Sequence, residues 1–252
     1  MAQGVTMEIR SVGIIGYGNF GAFVHVLLQR FAPKVRVRIH APEKKPDGKT
    51  FSSLEEVAAS DAVILAVPIH AFEEVVKKIV PHLSEDVVIV DVCTVKMHPI
   101  KVLKRLAKGR KYIATHPMFG PESYEKKGKD ITGLRIVIAE HTLTPAMHKA
   151  LVGFLRTIGF SVVEMNASTH DKHLAKTLFL THFIGQTIAE AGFDRTEIDT
   201  VSFGFLMSAV ESVRGDKKLF ADVFRYNVYC TKTLERFKKA ESRISKVLRD
   251  QS

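Results

Sequence analysis

Short apolar runs rich in β-branched residues recur along the chain, at Val12 to Ile15, Val35 to Ile39, Ala62 to Val67, Val87 to Val92, Tyr112 to Ala114, Leu134 to Ile138 and Ser161 to Val163. Continuous apolar runs of this length predict strands buried on both faces. Between them, at about 19–31, 70–80, 98–107 and 144–158, apolar residues return every three to four positions, which predicts helices. Strand and helix in alternation imply a doubly wound α/β domain with a mostly parallel sheet covered on both faces. After Met165 the alternation stops. Helical periodicity continues through 168–191, 197–213 and 217–248 with no further strand, so residues 1–165 read as one domain and 166–252 as an all-helical second domain. Gly192, Gly204 and the Gly215-Asp216 pair punctuate it. Phe203, Phe205, Leu206, Val210 and Val213 suit either the core of that domain or a homodimer interface through the C-terminal helices.

Composition narrows the class. The 252 residues are 46% hydrophobic and 25% charged, an ordinary globular balance. The longest apolar stretch, Ala62 to Ile69, is far short of the roughly 20 residues a membrane span needs. The opening MAQGVTMEIR lacks an apolar signal core, so neither secretion nor a membrane is expected. Cys93 and Cys230 belong to no CxxC or Cys/His cluster; a reducing, cytoplasmic setting fits and structural zinc does not. Thirty-seven Lys and Arg against 27 Asp and Glu give a formal charge of +10. Seven basic residues and no acid fall between Lys96 and Lys111, alternating with apolar residues as on one solvated helix face. No nucleic-acid-binding motif accompanies them, so the charge is read as attraction for anionic small molecules rather than for a polynucleotide.

Gly16-Tyr17-Gly18-Asn19-Phe20-Gly21 is GxGxxG, placed after the first strand and opening the first helix. In that context Gly16 makes the tight turn, Gly18 lets a pyrophosphate approach the backbone, and Gly21 allows close contact of helix and strand, the Rossmann dinucleotide arrangement. Asn19 and Phe20 complete the turn, and Val67 and Pro68, after the third strand, are expected beside the cofactor. The second strand ends in Ile39-His40-Ala41-Pro42, without the acid that binds the ribose hydroxyl of NAD. His40, Lys44 and Lys45 place positive charge there instead, which favours NADP; Glu43 nearby keeps NAD as the alternative.

Two further strand ends are polar: Asp91-Val92-Cys93-Thr94-Val95-Lys96, and Thr115-His116-Pro117-Met118-Phe119-Gly120-Pro121-Glu122-Ser123. Ligands of open α/β sheets bind at the carboxyl ends of strands, and a histidine before proline is held extended. His116 is thus a candidate general base with Thr94 as neighbour, against the plainer reading of a histidine that caps a loop.

With these motifs the chain resembles the prephenate and arogenate dehydrogenase family, particularly its plant-type arogenate dehydrogenases. The resemblance rests on GYGNFG, DVCTVK, HPMFGPES, THDKHLAKTLFLTHFIGQTIAE and AVESVRGDKKLFADVFRYN, and spans nearly the whole sequence. It implies oxidative decarboxylation: the substrate's ring carbon bearing the hydroxyl gives up hydride, the ring carboxylate leaves as carbon dioxide, and His116 accepts the hydroxyl proton. Thr94, where the family usually has serine, orients His116 or bonds the hydroxyl; His182 and Ser123 lie on the substrate side. The resemblance also implies arogenate or prephenate as substrate.

One departure bears on substrate choice. Prephenate-type relatives carry an arginine for substrate carboxylate where alignment places Glu211, with Arg214 one turn later. A carboxylate at 211 is expected to attract the ammonium of arogenate, and Arg214, Lys217 or Arg225 to receive the side-chain carboxylate. Ser168-Thr169, less acidic than the plant pattern, and the +10 charge point toward a dianion instead. His170 and His173 lie three apart, but no carboxylate converges on them and no metal is expected; His170-Asp171 braces the start of its helix. Two other classes share the architecture: another two-domain NADP enzyme, such as a β-hydroxyacid dehydrogenase or imine reductase, and a non-catalytic dinucleotide sensor.

Overall fold

The structure, a computed structural model, describes residues 9–250; most of the opening MAQGVTMEIR, whose polar character entered the expectation about secretion, lies outside the described residues. The chain forms two compact units that meet in sequence at Ala167 and Ser168.

The first unit is built on a seven-stranded sheet: β1 (Ser11–Ile15), β2 (Arg36–His40), β3 (Ala62–Leu65), β4 (Val88–Asp91), β5 (Lys111–Pro117), β6 (Arg135–His141) and β7 (Ser161–Glu164), in the spatial order β2-β1-β3-β4-β5-β6-β7. Every neighbouring pair is parallel except β5 with β6. The apolar runs supply its core: Val12, Ile14, Ile39, Val88 and Ile113 are buried together. Around the sheet run α1 (Asn19–Phe31), α2 (Leu54–Ala58), α3 (Phe72–Ile79), α4 (Met97–Leu106), α5 (Pro121–Lys126) and α6 (Pro145–Thr157).

The short helices α2 and α5 were not expected from periodicity, which needs more than two turns to show. Their signals are local. Ser53-Leu54-Glu55-Glu56 is a capping box: Ser53 Oγ accepts the Glu56 N–H at 3.2 Å and Glu56 Oε2 accepts the Ser53 N–H at 2.8 Å. Pro121 opens α5 at a position where its missing N–H costs nothing.

The second unit consists of α7 (Ala167–Lys176, from Ser168), α8 (Leu178–Glu190), α9 (Val201–Val213), α10 (Lys217–Tyr226) and α11 (Cys230–Asp250). Two segments expected to be single helices are each broken in two. At Thr177 the side-chain hydroxyl donates to the His173 carbonyl at 2.9 Å, the back-bonding that bends helices, and the backbone leaves the helical region. At Asn227, which is fully buried, the side-chain oxygen accepts the Tyr229 N–H at 3.0 Å while Nδ2 donates to the Asp171 carbonyl at 2.8 Å. One side chain thus ends α10 and ties it to α7. In α9, Val210 and Val213 are core, packed where α8 presents Gly185, so the five apolar residues divide: Phe205 and Leu206 are exposed, Phe203 is half-buried, and Val210 and Val213 are buried. Among the described residues no helix is long and apolar enough to cross a membrane.

Asn227→Ala strands a buried carbonyl and a partly buried N–H, so it is expected to cost about 2 to 4 kcal/mol; urea denaturation of wild type and variant measures the difference.

Candidate active site

One register line orders the first unit. His40 pairs with Ile15, Ile15 with Leu65, Leu65 with Asp91, and Asp91 with Ala114, so these five residues form a row across five strands near their carboxyl ends. The glycine turn, Val67-Pro68, Thr94 and His116 all lie just beyond that row.

At its β1 position the chain turns at Gly16, whose φ of +97° is open to glycine and whose Cβ, were there one, would stand 2.3 Å from the Ala66 carbonyl oxygen. A Cβ on Gly21 would stand 2.1 Å from the Gly16 carbonyl oxygen, so α1 can lie this close to the turn only without it. The side chain of Val67 closes against Gly16 from the end of β3, and the Gly16 N–H donates to the His40 carbonyl at 2.9 Å. Gly18 differs from both: a Cβ there would meet nothing within 4 Å. It is the N-cap of α1, which has no side-chain cap and no acid in its first turn. Unsatisfied N–H groups and the positive end of the helix dipole therefore face open space, and these residues fit a dinucleotide pyrophosphate. Lys44 and Lys45 are exposed in the loop after β2, and neither is ion-paired among the described residues.

Beyond β4 and β5 the site rests on a buried ion pair. Lys96 and Asp91 are both 0% exposed, and the Lys96 ammonium donates to Asp91 Oδ2 and to the Thr115 carbonyl. Asp91 Oδ1 accepts the Cys93 N–H at 2.7 Å, and the Thr115 hydroxyl donates to the Asp91 carbonyl at 2.8 Å. Burial pushes the Asp91 carboxyl up, and the ammonium of Lys96 pulls against that push. The pair joins the loop carrying Thr94 to the strand carrying His116. A β-bulge between Ala114 and Thr115 shifts the β5–β6 register directly before His116, which then pairs with Val137 and is 5% exposed. Thr94 is half-buried, whereas Ser123 sits on the exposed side of α5.

Lys96 corrects one expectation. The basic run from Lys96 to Lys111 is not one solvated face: its first member is sealed in the interior, because Asp91 and Thr115 satisfy the ammonium there.

The second unit holds the remaining predicted residues. His182, on α8, is buried and stacks on Phe220 with ring centroids 6.2 Å apart. Its Nδ1 is buried with no hydrogen-bond partner among the described residues, and burial lowers the imidazole pKa against an opposing pull from Asp216. Glu211 is not the uncompensated carboxylate expected. Arg195, from the loop before α9, grips it with Nε at 2.7 Å and Nη2 at 3.2 Å, and these bonds hold the Glu211 carboxyl below the usual range. Arg214 lies 3.8 Å from Asp194, so acids and bases alternate around this end of α9. Arg195 was invisible in the sequence because the contact spans 16 residues through a loop with no periodicity. His170 and Asp171 lie within α7 rather than at its cap; their side chains meet at 2.8 Å, and both are buried.

With this geometry in place, comparison with known proteins shows what the chain is similar to. A family model described as "Prephenate dehydrogenase, nucleotide-binding domain" matches residues 45–146, and one described as "TYRAAT1-like, C-terminal domain" matches residues 187–252. Arogenate dehydrogenase 1, chloroplastic, of Arabidopsis thaliana is 28% identical over 237 residues, covering 90% of this chain and 37% of that protein. Arogenate dehydrogenase 2, chloroplastic, of the same plant is 27% identical over 250 residues, covering 94% of this chain and 69% of its own length. The chain is similar to the prephenate and arogenate dehydrogenases in its nucleotide-binding part, residues 45–146, and to the plant arogenate dehydrogenases along most of its length. In fold the chain is similar to the crystal structure of prephenate dehydrogenase from A. aeolicus in complex with hydroxyphenyl propionate and NAD+, with a TM-score of 0.78 at 20% identity over 98% of this chain and 93% of the other. The stretch matched by the first model contains both DVCTVK and HPMFGPES.

Removing Lys96 leaves a carboxylate alone in the interior of the first unit. Lys96→Met is expected to cost about 3 to 5 kcal/mol at neutral pH. Since an isolated buried Asp91 holds its proton to higher pH than the unfolded chain does, the deficit shrinks as pH falls toward 4 and grows as pH rises. Adding Asp91→Asn restores most of the loss. Thermal melts of the three proteins at pH 5 and pH 7.5 check both the size and the sign.

Proposed function

We propose that the chain is an NADP-dependent arogenate dehydrogenase of tyrosine biosynthesis, converting L-arogenate to L-tyrosine and carbon dioxide with reduction of NADP+. The observation that carries this reading is the shared anchoring of Thr94 and His116 by Asp91 and Lys96, beyond the same edge of the sheet as the glycine turn. When bound there, the nicotinamide supplies the hydride acceptor. The protein's own part is proton handling: His116 accepts the proton of the ring hydroxyl as that carbon becomes a carbonyl. It returns the proton to the oxygen as the phenol forms on loss of the ring carboxylate. Thr94 holds His116 or the hydroxyl in line, and the buried Nδ1 of His182 gains a partner from the substrate. Ser123 and Arg214 complete the substrate contacts.

Arogenate is preferred over prephenate in this reading because the relatives above carry that activity in their names and because Arg195, Glu211, Arg214 and Asp194 offer both signs of charge. A zwitterionic side chain matches such a mixture better than the keto acid of prephenate does. The NADP preference rests on His40, Lys44 and Lys45 at a strand end with no acid. Phe205 and Leu206, with exposed Val201 beside them, supply the apolar surface for a homodimer through the helical unit. Both cysteines are buried thiols, and burial pushes that of Cys230 up to about 12, in keeping with a reducing, cytoplasmic setting.

His116→Asn is expected to lower kcat by at least about a hundredfold with little change in dinucleotide affinity. Turnover near that of wild type sinks the assignment. Side-by-side kcat/KM values for arogenate and prephenate, each with NADP+ and NAD+, test the rest: arogenate with NADP+ is expected to be highest, and equal or faster turnover of prephenate makes the protein a prephenate dehydrogenase instead.

A further inference from the structure

The loop after β2 contains two acids, Glu43 and Asp47, and either might be taken for the missing partner of the ribose hydroxyls. The structure gives Asp47 a different task. Its Oδ1 accepts three backbone N–H groups, from Lys49 at 2.8 Å, Thr50 at 2.8 Å and Phe51 at 2.9 Å. Its own N–H donates to the Phe51 carbonyl at 3.0 Å, and Gly48 between them takes a left-handed φ of +69°. These bonds close the far end of the loop. The near end is closed by a turn in which the Lys44 N–H donates to the Ala41 carbonyl at 2.9 Å.

The closed loop is then stitched to the cofactor turn. Ile39 bridges to Phe51, with its N–H donating to the Thr50 carbonyl and its own carbonyl accepting the Ser52 N–H, each at 2.9 Å. The Phe51 ring meets Tyr17 of the glycine turn edge-on, centroids 5.2 Å apart. Lys44, Lys45 and Lys49 are left exposed on this framework, and none is ion-paired among the described residues. Three backbone N–H groups hold the Asp47 carboxyl below the usual carboxylate range, so it stays charged and bound to the loop at any working pH.

We propose that Asp47 is a positioning residue for cofactor choice: by gathering the amides of residues 49–51 it folds the loop so that Lys44, Lys45 and Lys49 meet a 2′-phosphate, and it is not a ligand of the ribose hydroxyls. The proposal rests on the NADP reading given above. Asp47 commits Oδ1 to three backbone amides, and the cations this framework leaves exposed to a ligand are Lys44, Lys45 and Lys49. A phosphate monoester there gains charge-assisted hydrogen bonds that a hydroxyl does not.

Calorimetric titration with adenosine 2′,5′-bisphosphate and with adenosine 5′-monophosphate, which differ only in the 2′-phosphate, reads the effect without turnover. Wild type is expected to bind the bisphosphate the more tightly. Asp47→Ala should lose about tenfold in bisphosphate affinity, ~1.4 kcal/mol, with the monophosphate unchanged. Asp47→Asn, whose amide oxygen still accepts the three N–H groups, should keep most of the preference. Unchanged monophosphate binding also shows that each variant is folded. If Asp47→Ala weakens both ligands alike, or neither, the positioning role is wrong while the NADP reading stands. If Asp47→Ala and Asp47→Asn both weaken the monophosphate and spare the bisphosphate, Asp47 is a ribose ligand and the proposal is overturned. Equal binding of the two ligands by wild type overturns the NADP reading and the proposal with it.

Discussion

The Asp91 and Lys96 side chains form the interaction that organises the carboxyl ends of β4 and β5. Two full charges buried without solvent repay their desolvation only when their remaining valences are filled. Here they are: the carboxylate takes an ammonium and the Cys93 amide, and the ammonium takes the carboxylate and the Thr115 carbonyl. Each of those bonds also fixes a piece of backbone. The loop after β4 cannot drift without losing the Cys93 contact, and the bulged end of β5 cannot drift without exposing the Lys96 ammonium to an unfilled interior. An apolar pair of the same volume would pack as well but would leave Thr94 and His116 to find their relative position by chance. The charge is spent on direction rather than on stability.

Much of this was legible from residue order. The seven strands and the four long helices of the first unit follow from apolar runs and their period, because a parallel sheet buried on both faces leaves little freedom in composition. The glycine turn was legible because its three glycines meet three different steric demands: Gly16 and Gly21 against neighbouring carbonyls, and Gly18 against nothing at all. What was not legible depends on contacts made far along the chain. Lys96 looks like any other lysine in a basic run until the sheet brings Thr115 over it. Glu211 looks like an available carboxylate until the loop before α9 returns Arg195 to its side. Asn227 looks like a residue inside a long helix, yet a buried amide with a partner on α7 ends that helix. In each case a polar side chain is claimed by a neighbour that periodicity cannot reveal.

The two units solve the burial of polar groups in different ways. In the first, the buried polar cluster binds backbone groups one residue away from Thr94 and His116. In the second, Asn227, Asp171 and His170 lie buried together and serve the packing of α7 against α10, while the charged groups at the end of α9 stay in solvent, where pairs such as Arg195 with Glu211 contribute little to stability. Side chains of the exposed network can therefore change with small effect on folding, whereas the buried amide cluster tolerates little.

The register row from His40 to Ala114 makes the sheet a ruler. Neighbouring strands are about 4.8 Å apart, so the four steps from β2 to β5 set a span of about 19 Å between the loop after β2 and the strand that carries His116. Only an extended molecule touches both marks. Half a dinucleotide reports on one end alone, and changes made at the two ends lie too far apart to couple directly, so their energies should add. Lengthening or trimming the loop after β2 would change that end of the row while leaving His116 on β5 at its fixed distance from β2.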